Sequence, residues 1–138
     1  AGGADPKTHN SYKEPLLFLV VERDFVDGAR VLLELGVNVE SRNTKGRTAL
    51  MRAAKYGRML AARALIANGA NVNAVSKGGA TPIMIAAERG KMEMVQLFLE
   101  RGASTKPVTK NGWTALKVAL QLGRLEVVQQ LKLAGAKE

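Results

Sequence analysis

Three stretches of the sequence align without a gap: 43–57 (NTKGRTALMRAAKYG), 76–90 (SKGGATPIMIAAERG) and 109–123 (TKNGWTALKVALQLG). Each starts 33 residues after the one before it, and each has glycine, threonine and glycine at the same three places. A further glycine recurs at this spacing over four units, as Gly36, Gly69, Gly102 and Gly135. A fixed period of this length indicates a repeat protein, in which each unit buries its apolar face against its neighbours.

Each unit has the pattern of two short helices joined by a turn. A threonine such as Thr48 precedes the first helix, where its hydroxyl can accept hydrogen bonds from free backbone N–H groups. In the third unit Pro82 follows this threonine, at the first helical position, where proline's missing N–H costs nothing. A glycine such as Gly57 ends the helix, because the chain needs a positive φ there. The second helix then has an apolar stripe, which predicts burial against neighbouring units.

These units resemble the ankyrin repeat. The family pattern of T-P-L-H-x-A-A and G-A-D-V-N-A is matched by residues 81–87 (TPIMIAA) and 69–74 (GANVNA). The family's histidine is absent, since its places hold Met51, Met84 and Lys117, and methionine can fill such a space apolarly. The resemblance implies an all-α ankyrin-repeat solenoid of helix-turn-helix units with β-turn loops.

The resemblance also gives the domain organisation: an N-terminal extension over residues 1–10 and a single ankyrin-repeat domain over 11–138. We predict four repeats, at about 11–42, 43–75, 76–108 and 109–138. The first and last are expected to be degenerate caps that complete the domain, because one face of each has no neighbouring repeat. In the first, Asp24 replaces the helix-ending glycine, and in the last, Gln130 and Lys132 replace leucines and predict a polar outer face.

The composition argues against most kinds of catalytic site. The chain has no cysteine, which excludes disulfides, thiolate zinc sites, iron–sulfur clusters and cysteine nucleophiles. It has one histidine, His9, and no carboxylate pair at a spacing that suggests catalysis. We therefore predict no enzyme activity, no cofactor and no metal. The longest apolar run, residues 16–21, is far shorter than the roughly 20 residues that a membrane helix needs.

The sequence is strongly basic, with a net charge of +9 at pH 7. Between Ser41 and Ala87 there are eight basic residues and no acidic one. These residues either form a solvated surface that keeps the protein soluble or steer an acidic partner surface into place. Nucleic acid is the other acidic partner to consider, but the basic stretch has few aromatic side chains for base stacking and no known reading motif.

The resemblance implies that the binding residues lie on the concave face of the solenoid, which the β-turn tips and the first helices form. We predict a partner-binding set on or beside this face: Tyr12, Arg23, Arg42, Lys45, Arg47, Lys55, Tyr56, Lys77, Arg89, Lys110, Asn111, Trp113, Gln121 and Leu122. Trp113 is the only tryptophan, and an exposed tryptophan on a binding face is a typical hot spot. Alternatively, its ring lies flat over a neighbouring loop. Arg52 is interpreted as structural, with Glu22 or Glu88 as its partner.

The function implied by the resemblance is protein binding. We predict an interaction module that binds a partner protein through its concave face and inhibits or masks an enzyme by occlusion. The partner is expected to have an acidic surface, and the free protein is expected to be a monomer. The alternative is a basic-surface adaptor associated with nucleic acid. The first residue of the sequence, Ala1, fits either a cytoplasmic protein or a periplasmic or exported protein that has lost a signal peptide.

Overall fold

The computed structural model describes residues 13–137, and the side chains of residues 13–15 lie outside that description. The predicted N-terminal extension and Tyr12 also lie outside the described residues. The described chain forms eight helices: α1 (Lys13–Glu22), α2 (Val26–Glu34), α3 (Ala49–Tyr56), α4 (Met59–Ala67), α5 (Pro82–Glu88), α6 (Met92–Glu100), α7 (Ala115–Gln121) and α8 (Leu125–Leu133). The predicted limits of the domain and of its repeats stay predictions.

The helices are arranged as four consecutive pairs, and the two helices of each pair pack against each other. The first helices of the pairs, α1, α3, α5 and α7, stack in a row in which each contacts the next. The second helices also meet, α2 with α4 and α6 with α8. Residues 13–137 contain no strand, so the predicted all-α solenoid is confirmed. No helix in this range combines the length and the apolar character that crossing a membrane requires.

Threonine caps two of the first helices, as predicted. Oγ1 of Thr48 accepts a hydrogen bond from the N–H of Met51 at 3.3 Å, and Oγ1 of Thr114 accepts one from the N–H of Lys117 at 3.1 Å. Thr81 differs from this prediction, because its buried hydroxyl has no hydrogen-bond partner among the described residues. The proline that follows it fixes φ for the first helical residue, so α5 begins without the threonine's hydrogen bond.

The glycines that end the first helices have the predicted positive φ. Gly57, Gly90 and Gly123 have φ values of 70°, 65° and 68°. In the first repeat Asp24 takes the same left-handed conformation, with φ at 60°. Aspartate tolerates this conformation better than most residues with a side chain, which explains how the first repeat keeps the turn without glycine.

Small side chains let neighbouring first helices approach closely. The alanine pairs 53–54 and 86–87 are completely buried. Met51 and Met84, at the place of the family's histidine, are also buried, so they fill that space apolarly as predicted. Lys117 has the same place in the last repeat but is exposed, because no described residue covers it.

Arginine side chains connect the second repeat to the first. Nη1 of Arg52 lies 3.2 Å from Oε2 of Glu22, and its guanidinium lies 5.6 Å from the centre of the Phe18 ring. Glu22 is therefore the partner of Arg52, one of the two that the sequence predicted, and the structural role of Arg52 stays a prediction. Nε of Arg58 also donates a hydrogen bond to the backbone carbonyl of Glu22 at 2.9 Å. A cation at this carbonyl is favourable because α1 ends there.

The polar outer face predicted for the last repeat is wrong in part. Nε2 of Gln130 donates a hydrogen bond to the carbonyl of Met92 at 3.1 Å, so this side chain faces the preceding repeat. Lys132 is exposed, as expected. Leu120 and Leu125, however, are 41% and 73% exposed. Gln130 therefore makes an internal contact, and the outer face of the last repeat is partly apolar.

Candidate functional site

The site begins at the tips, which are the turns that precede α3, α5 and α7. Asn43, Ser76 and Thr109 have equivalent places in the three tips. In each, the side-chain oxygen accepts a hydrogen bond from the N–H four residues later, at 3.0 to 3.1 Å. A glycine with positive φ reverses the chain between these two residues, for example Gly46 with φ at 73°. The residue after the glycine is thereby held at a fixed place beside the first helix.

Neighbouring tips are joined by backbone hydrogen bonds. The N–H of Lys77 donates to the carbonyl of Lys45 at 3.1 Å. The N–H of Lys110 donates to the carbonyl of Gly78 at the same distance, 3.1 Å. The tips therefore form a continuous edge, along which equivalent side chains of successive repeats stand side by side.

An open groove of about 570 Å³ runs along this edge and the adjoining first helices. We call it the tip groove, and its walls are Thr44, Lys45, Arg47, Ser76, Lys77, Gly78, Ala80, Met84, Ile85, Glu88, Thr109, Asn111, Trp113 and Val118. The residue after the tip glycine is Arg47, Ala80 and Trp113 in successive repeats. Because Ala80 and the nearby Gly78 are small, the third repeat leaves space between a cation and an aromatic ring.

Two further openings continue the tip groove in opposite directions. A groove of about 510 Å³ is lined by Glu88, Arg89, Trp113, Val118, Gln121, Leu122 and Arg124. A pocket of about 130 Å³ is lined by Asn43, Thr44, Lys45, Arg47, Met51, Arg52 and Lys55. Each shares wall residues with the tip groove. We call the three together the groove face.

The second and third repeats make one part of the groove face cationic. Lys45, Arg47 and Lys77 line the tip groove, and none of them forms an ion pair with a described residue. Glu88 is the only acidic residue that lines the tip groove among the described residues, and its Oε1 lies 3.8 Å from Nε of Arg89. The cations without an ion pair leave this part of the face attractive to carboxylates.

The fourth repeat gives the groove face an apolar part. Trp113 lies where two of the three openings meet and is 39% exposed. Leu122 is 48% exposed, and Val118 is half-buried beside both of them in the same groove. The tryptophan ring is thus partly covered by its own chain and partly open. A tryptophan side chain has few torsions and therefore loses little conformational freedom on binding, which favours its use as an anchor.

Most of the predicted partner-binding residues lie together in the groove face, and these are Lys45, Arg47, Lys55, Lys77, Arg89, Asn111, Trp113, Gln121 and Leu122. Arg23, Tyr56 and Lys110 are at least partly exposed but do not line it. The ring of Tyr56 lies 5.4 Å from Nζ of Lys55. Tyr12 lies outside the described residues. The role of each of these residues in binding stays a prediction.

Arg42 has a structural contact that the sequence did not indicate. Its Nη1 donates to the carbonyl of Gly46 at 2.8 Å and to the carbonyl of Val75 at 2.7 Å. The side chain therefore ties the tip of the second repeat to the start of the next tip. Substitution of Arg42 would disturb the edge on which the site is built, whether or not a partner touches it.

The groove face also contains residues that the sequence analysis did not select for the site. Met84 and Ile85 are almost completely buried, and Val118 is half-buried, so they form the apolar floor. Arg124 lies at the opposite side, where its Nε donates to the carbonyl of Glu88 at 3.2 Å. A basic residue precedes the second helix in three repeats, as Arg58, Lys91 and Arg124. This recurring basic residue is the feature of the sequence from which a contact to the preceding repeat could have been predicted.

The comparison with known proteins agrees with this geometry. A family model of ankyrin repeats, built of three copies, matches residues 2–76 and 61–137. The chain belongs to the ankyrin repeat family. No curated protein matches its sequence. Ankyrin repeats are generally protein–protein interaction modules and not catalysts. Among the described residues, no group of three histidine, cysteine, aspartate or glutamate side chains could hold a metal ion.

Proposed function

We propose that this ankyrin repeat protein binds a partner protein with an acidic surface through its groove face, and that it inhibits or masks an enzyme by covering it. One observation carries the proposal. Trp113 lines the same open groove as three cations, Lys45, Arg47 and Lys77, that form no ion pair with a described residue.

The two parts of the groove face would contribute differently to binding. Removal of a central tryptophan from an interface typically costs about 2 kcal/mol or more, so Trp113 is the expected anchor. The cations would act mainly on association, because complementary charges speed the encounter and repel basic partners. A partner that fits both parts has an apolar side chain near its own acidic residues.

The groove face favours protein over nucleic acid as the partner. Binding to single-stranded nucleic acid uses several aromatic side chains on which successive bases stack. Among the described residues that line the groove face, Trp113 is the only aromatic one, since Tyr56 lies outside it. The apolar floor and the leucine beside Trp113 are instead suited to an apolar side chain of a protein.

The test is a comparison of partner capture by wild type and by the double variant Trp113→Ala, Arg47→Glu, in nuclease-treated extract at moderate salt. A captured partner is then purified and titrated against both chains. Isothermal titration calorimetry gives the affinity of both chains, and in wild type the fluorescence of Trp113, the only tryptophan of the chain, reports in addition on occupation of the groove. We expect the double variant to bind at least about 100-fold more weakly, which corresponds to roughly 2.7 kcal/mol. An enzyme among the partners is assayed for inhibition by the wild-type chain.

Arg63→Glu is the matched control, because this exposed arginine lies on α4 and does not line the groove face. It makes the same change of charge as Arg47→Glu, so it should leave the affinity within about twofold. Retained binding by the double variant would place the site elsewhere. Capture that occurs only when nuclease is omitted would favour the nucleic-acid adaptor instead.

A further inference from the structure

Two asparagines of the chain are followed directly by glycine, Asn68 in the second repeat and Asn111 in the fourth. Asparagine is a thermolabile residue, and it is most labile before glycine, because glycine has no Cβ to hinder attack by its backbone nitrogen on the asparagine side chain. The other asparagines of residues 13–137 are followed by valine, threonine or alanine. The two pairs have the same local chemistry, so the fold decides whether each of them reacts.

The reaction is a deamidation within the pair. The glycine N–H loses its proton, the nitrogen bonds to Cγ of the asparagine, and the side-chain nitrogen leaves as ammonia. Water then opens the resulting succinimide ring at either carbonyl carbon. The product is aspartate or isoaspartate, in which the main chain runs through the former side chain. Loss of ammonia and gain of water complete the balance, and either product has an ionised carboxylate in place of a neutral amide.

The fold restrains the first of these asparagines, Asn68, at the end of α4. Its Nδ2 donates to the backbone carbonyl of Ala64 at 2.8 Å, and its N–H donates to the same carbonyl at 3.2 Å. The N–H of Gly69 donates to the carbonyl of Ile66 at 3.0 Å. Loss of a proton from this N–H is disfavoured, because the carbonyls at a helix C-terminus repel negative charge. The side chain and the attacking nitrogen must both leave the helix end before they can react.

The fold leaves the side chain of Asn111 without such a restraint. This residue is exposed, and its side chain forms no hydrogen bond with a described residue. The N–H of Gly112 donates to the carbonyl of Thr109 at 2.9 Å, within an exposed turn. Lys45 and Gly78, at the equivalent place of the preceding tips, are exposed too, so exposure here is a property of the tip. Segments with few contacts and exposed hydrogen bonds open more readily than helix ends.

Conversion of Asn111 would change the groove face in two ways. Asn111 lines the tip groove together with Trp113 and Lys77, so a new carboxylate there opposes the carboxylates of an acidic partner. The N–H of Trp113 also donates to Oγ1 of Thr109 at 3.0 Å, and the Trp113 carbonyl accepts from the N–H of Thr109 at 2.8 Å. An isoaspartate lengthens the main chain inside this turn and thereby displaces the tryptophan.

We propose that Asn111 is a site of spontaneous deamidation, and that its conversion lowers the affinity of the groove face for an acidic partner. The reaction needs no partner, so the modification is independent of the proposed function, and only its effect on affinity rests on that function. Nothing in the reaction restores the amide. The affinity of a molecule would therefore fall with its age.

The test follows both sites in one chain. Purified protein is kept at mildly alkaline pH and digested at intervals with trypsin, which releases residues 64–77 and 111–117 as separate peptides. Mass spectrometry with fragmentation gives the converted fraction at each site, and a sample taken at the start corrects for reaction during digestion. We expect Asn111 to convert at least about tenfold faster than Asn68, because an exposed turn opens more readily than a helix end.

The unfolded chain is the matched control, because it keeps both Asn-Gly pairs and removes the fold. In concentrated urea the two sites should convert at rates within about twofold of each other, since neither retains its native hydrogen bonds. Equal rates in the folded protein would overturn the proposal. So would an unchanged preference for Asn111 in urea, because the preference would then come from the neighbouring sequence and not from the fold.

The effect on binding is measured with Asn111→Asp, which introduces the charge directly, and with Asn68→Asp, which makes the same change outside the groove face. In calorimetric titration of the captured partner, Asn111→Asp should weaken binding at least about threefold at low salt, and Asn68→Asp should change it by less than about twofold. Equal affinities for wild type and Asn111→Asp would overturn the effect on affinity. Failure of the proposed function has a different sign, which is retained binding by the Trp113→Ala, Arg47→Glu variant.

Discussion

The third and fourth repeats have the same backbone conformation, but positions that are crowded and buried in the third repeat are open and exposed in the fourth. A Cβ on Gly79 would lie 2.9 Å from the Cα of Thr109 in the next tip, whereas a Cβ on Gly112 would meet no atom of the described residues within 4 Å. Ala87 is completely buried, whereas Leu120 is 41% exposed. The repeat pattern therefore determines the backbone at each position, and the neighbouring repeat determines which side chains that position accepts.

The largest effect that tests this comparison is expected at the tip glycines. Gly79 and Gly112 have similar positive φ values, 90° and 84°, so alanine is strained at both by about 1–2 kcal/mol. At Gly79 the new methyl group also collides with the backbone of the next tip, which adds roughly 1–3 kcal/mol. We expect Gly79→Ala to lower the free energy of unfolding in urea by about 2–5 kcal/mol.

Gly112→Ala is the control for this measurement, because it has the strain without the collision. Its loss of stability should be smaller than that of Gly79→Ala by at least about 1 kcal/mol. Equal losses in the two variants would show that contact between tips contributes nothing. The hydrogen-bonded edge of tips beneath the groove face would then not contribute to the stability of the fold.

The next effect concerns the alanine pairs. Ala87→Leu adds three carbon atoms at a close approach of two first helices, and overpacking of this kind costs roughly 1–3 kcal/mol. The reverse substitution at the exposed equivalent position, Leu120→Ala, should change the free energy of unfolding by about 0.5 kcal/mol or less. An unchanged melting temperature for Ala87→Leu would contradict the close packing of α5 against α7.

The sequence predicts most of the fold because its decisive features are local. A glycine such as Gly57 or an alanine pair such as 86–87 requires one backbone conformation or one close approach, and each is readable at its own position. The pairing of Arg52 was also predictable, because a charged residue among apolar equivalents requires a partner. Which of Glu22 and Glu88 is that partner could be decided only from the structure, since both lie on first helices adjacent to α3.

The side-chain directions in the last described repeat were not predictable in the same way. Gln130 was expected to point outward because it replaces a leucine, but which side of α8 meets the preceding repeat depends on the packing angle of the helices. The tip groove is a similar case. Its volume arises because Gly78 and Ala80 lie between Arg47 and Trp113, and only the alignment of three tips brings these residues together.

The smallest effect is expected at Arg52, which has the place of the buried Ile85 in the next repeat. Its ion pair with Glu22 is partly exposed, with 27% and 33% of the two side chains accessible, so solvent weakens it. A double-mutant cycle with Arg52→Met and Glu22→Gln should give a coupling of about 0.5 kcal/mol, which decreases in high salt. The backbone carbonyl of Glu22 still accepts the hydrogen bond of Arg58 in every variant. A coupling of zero at low salt would mean that Arg52, which lines the groove face, is available to a partner after all.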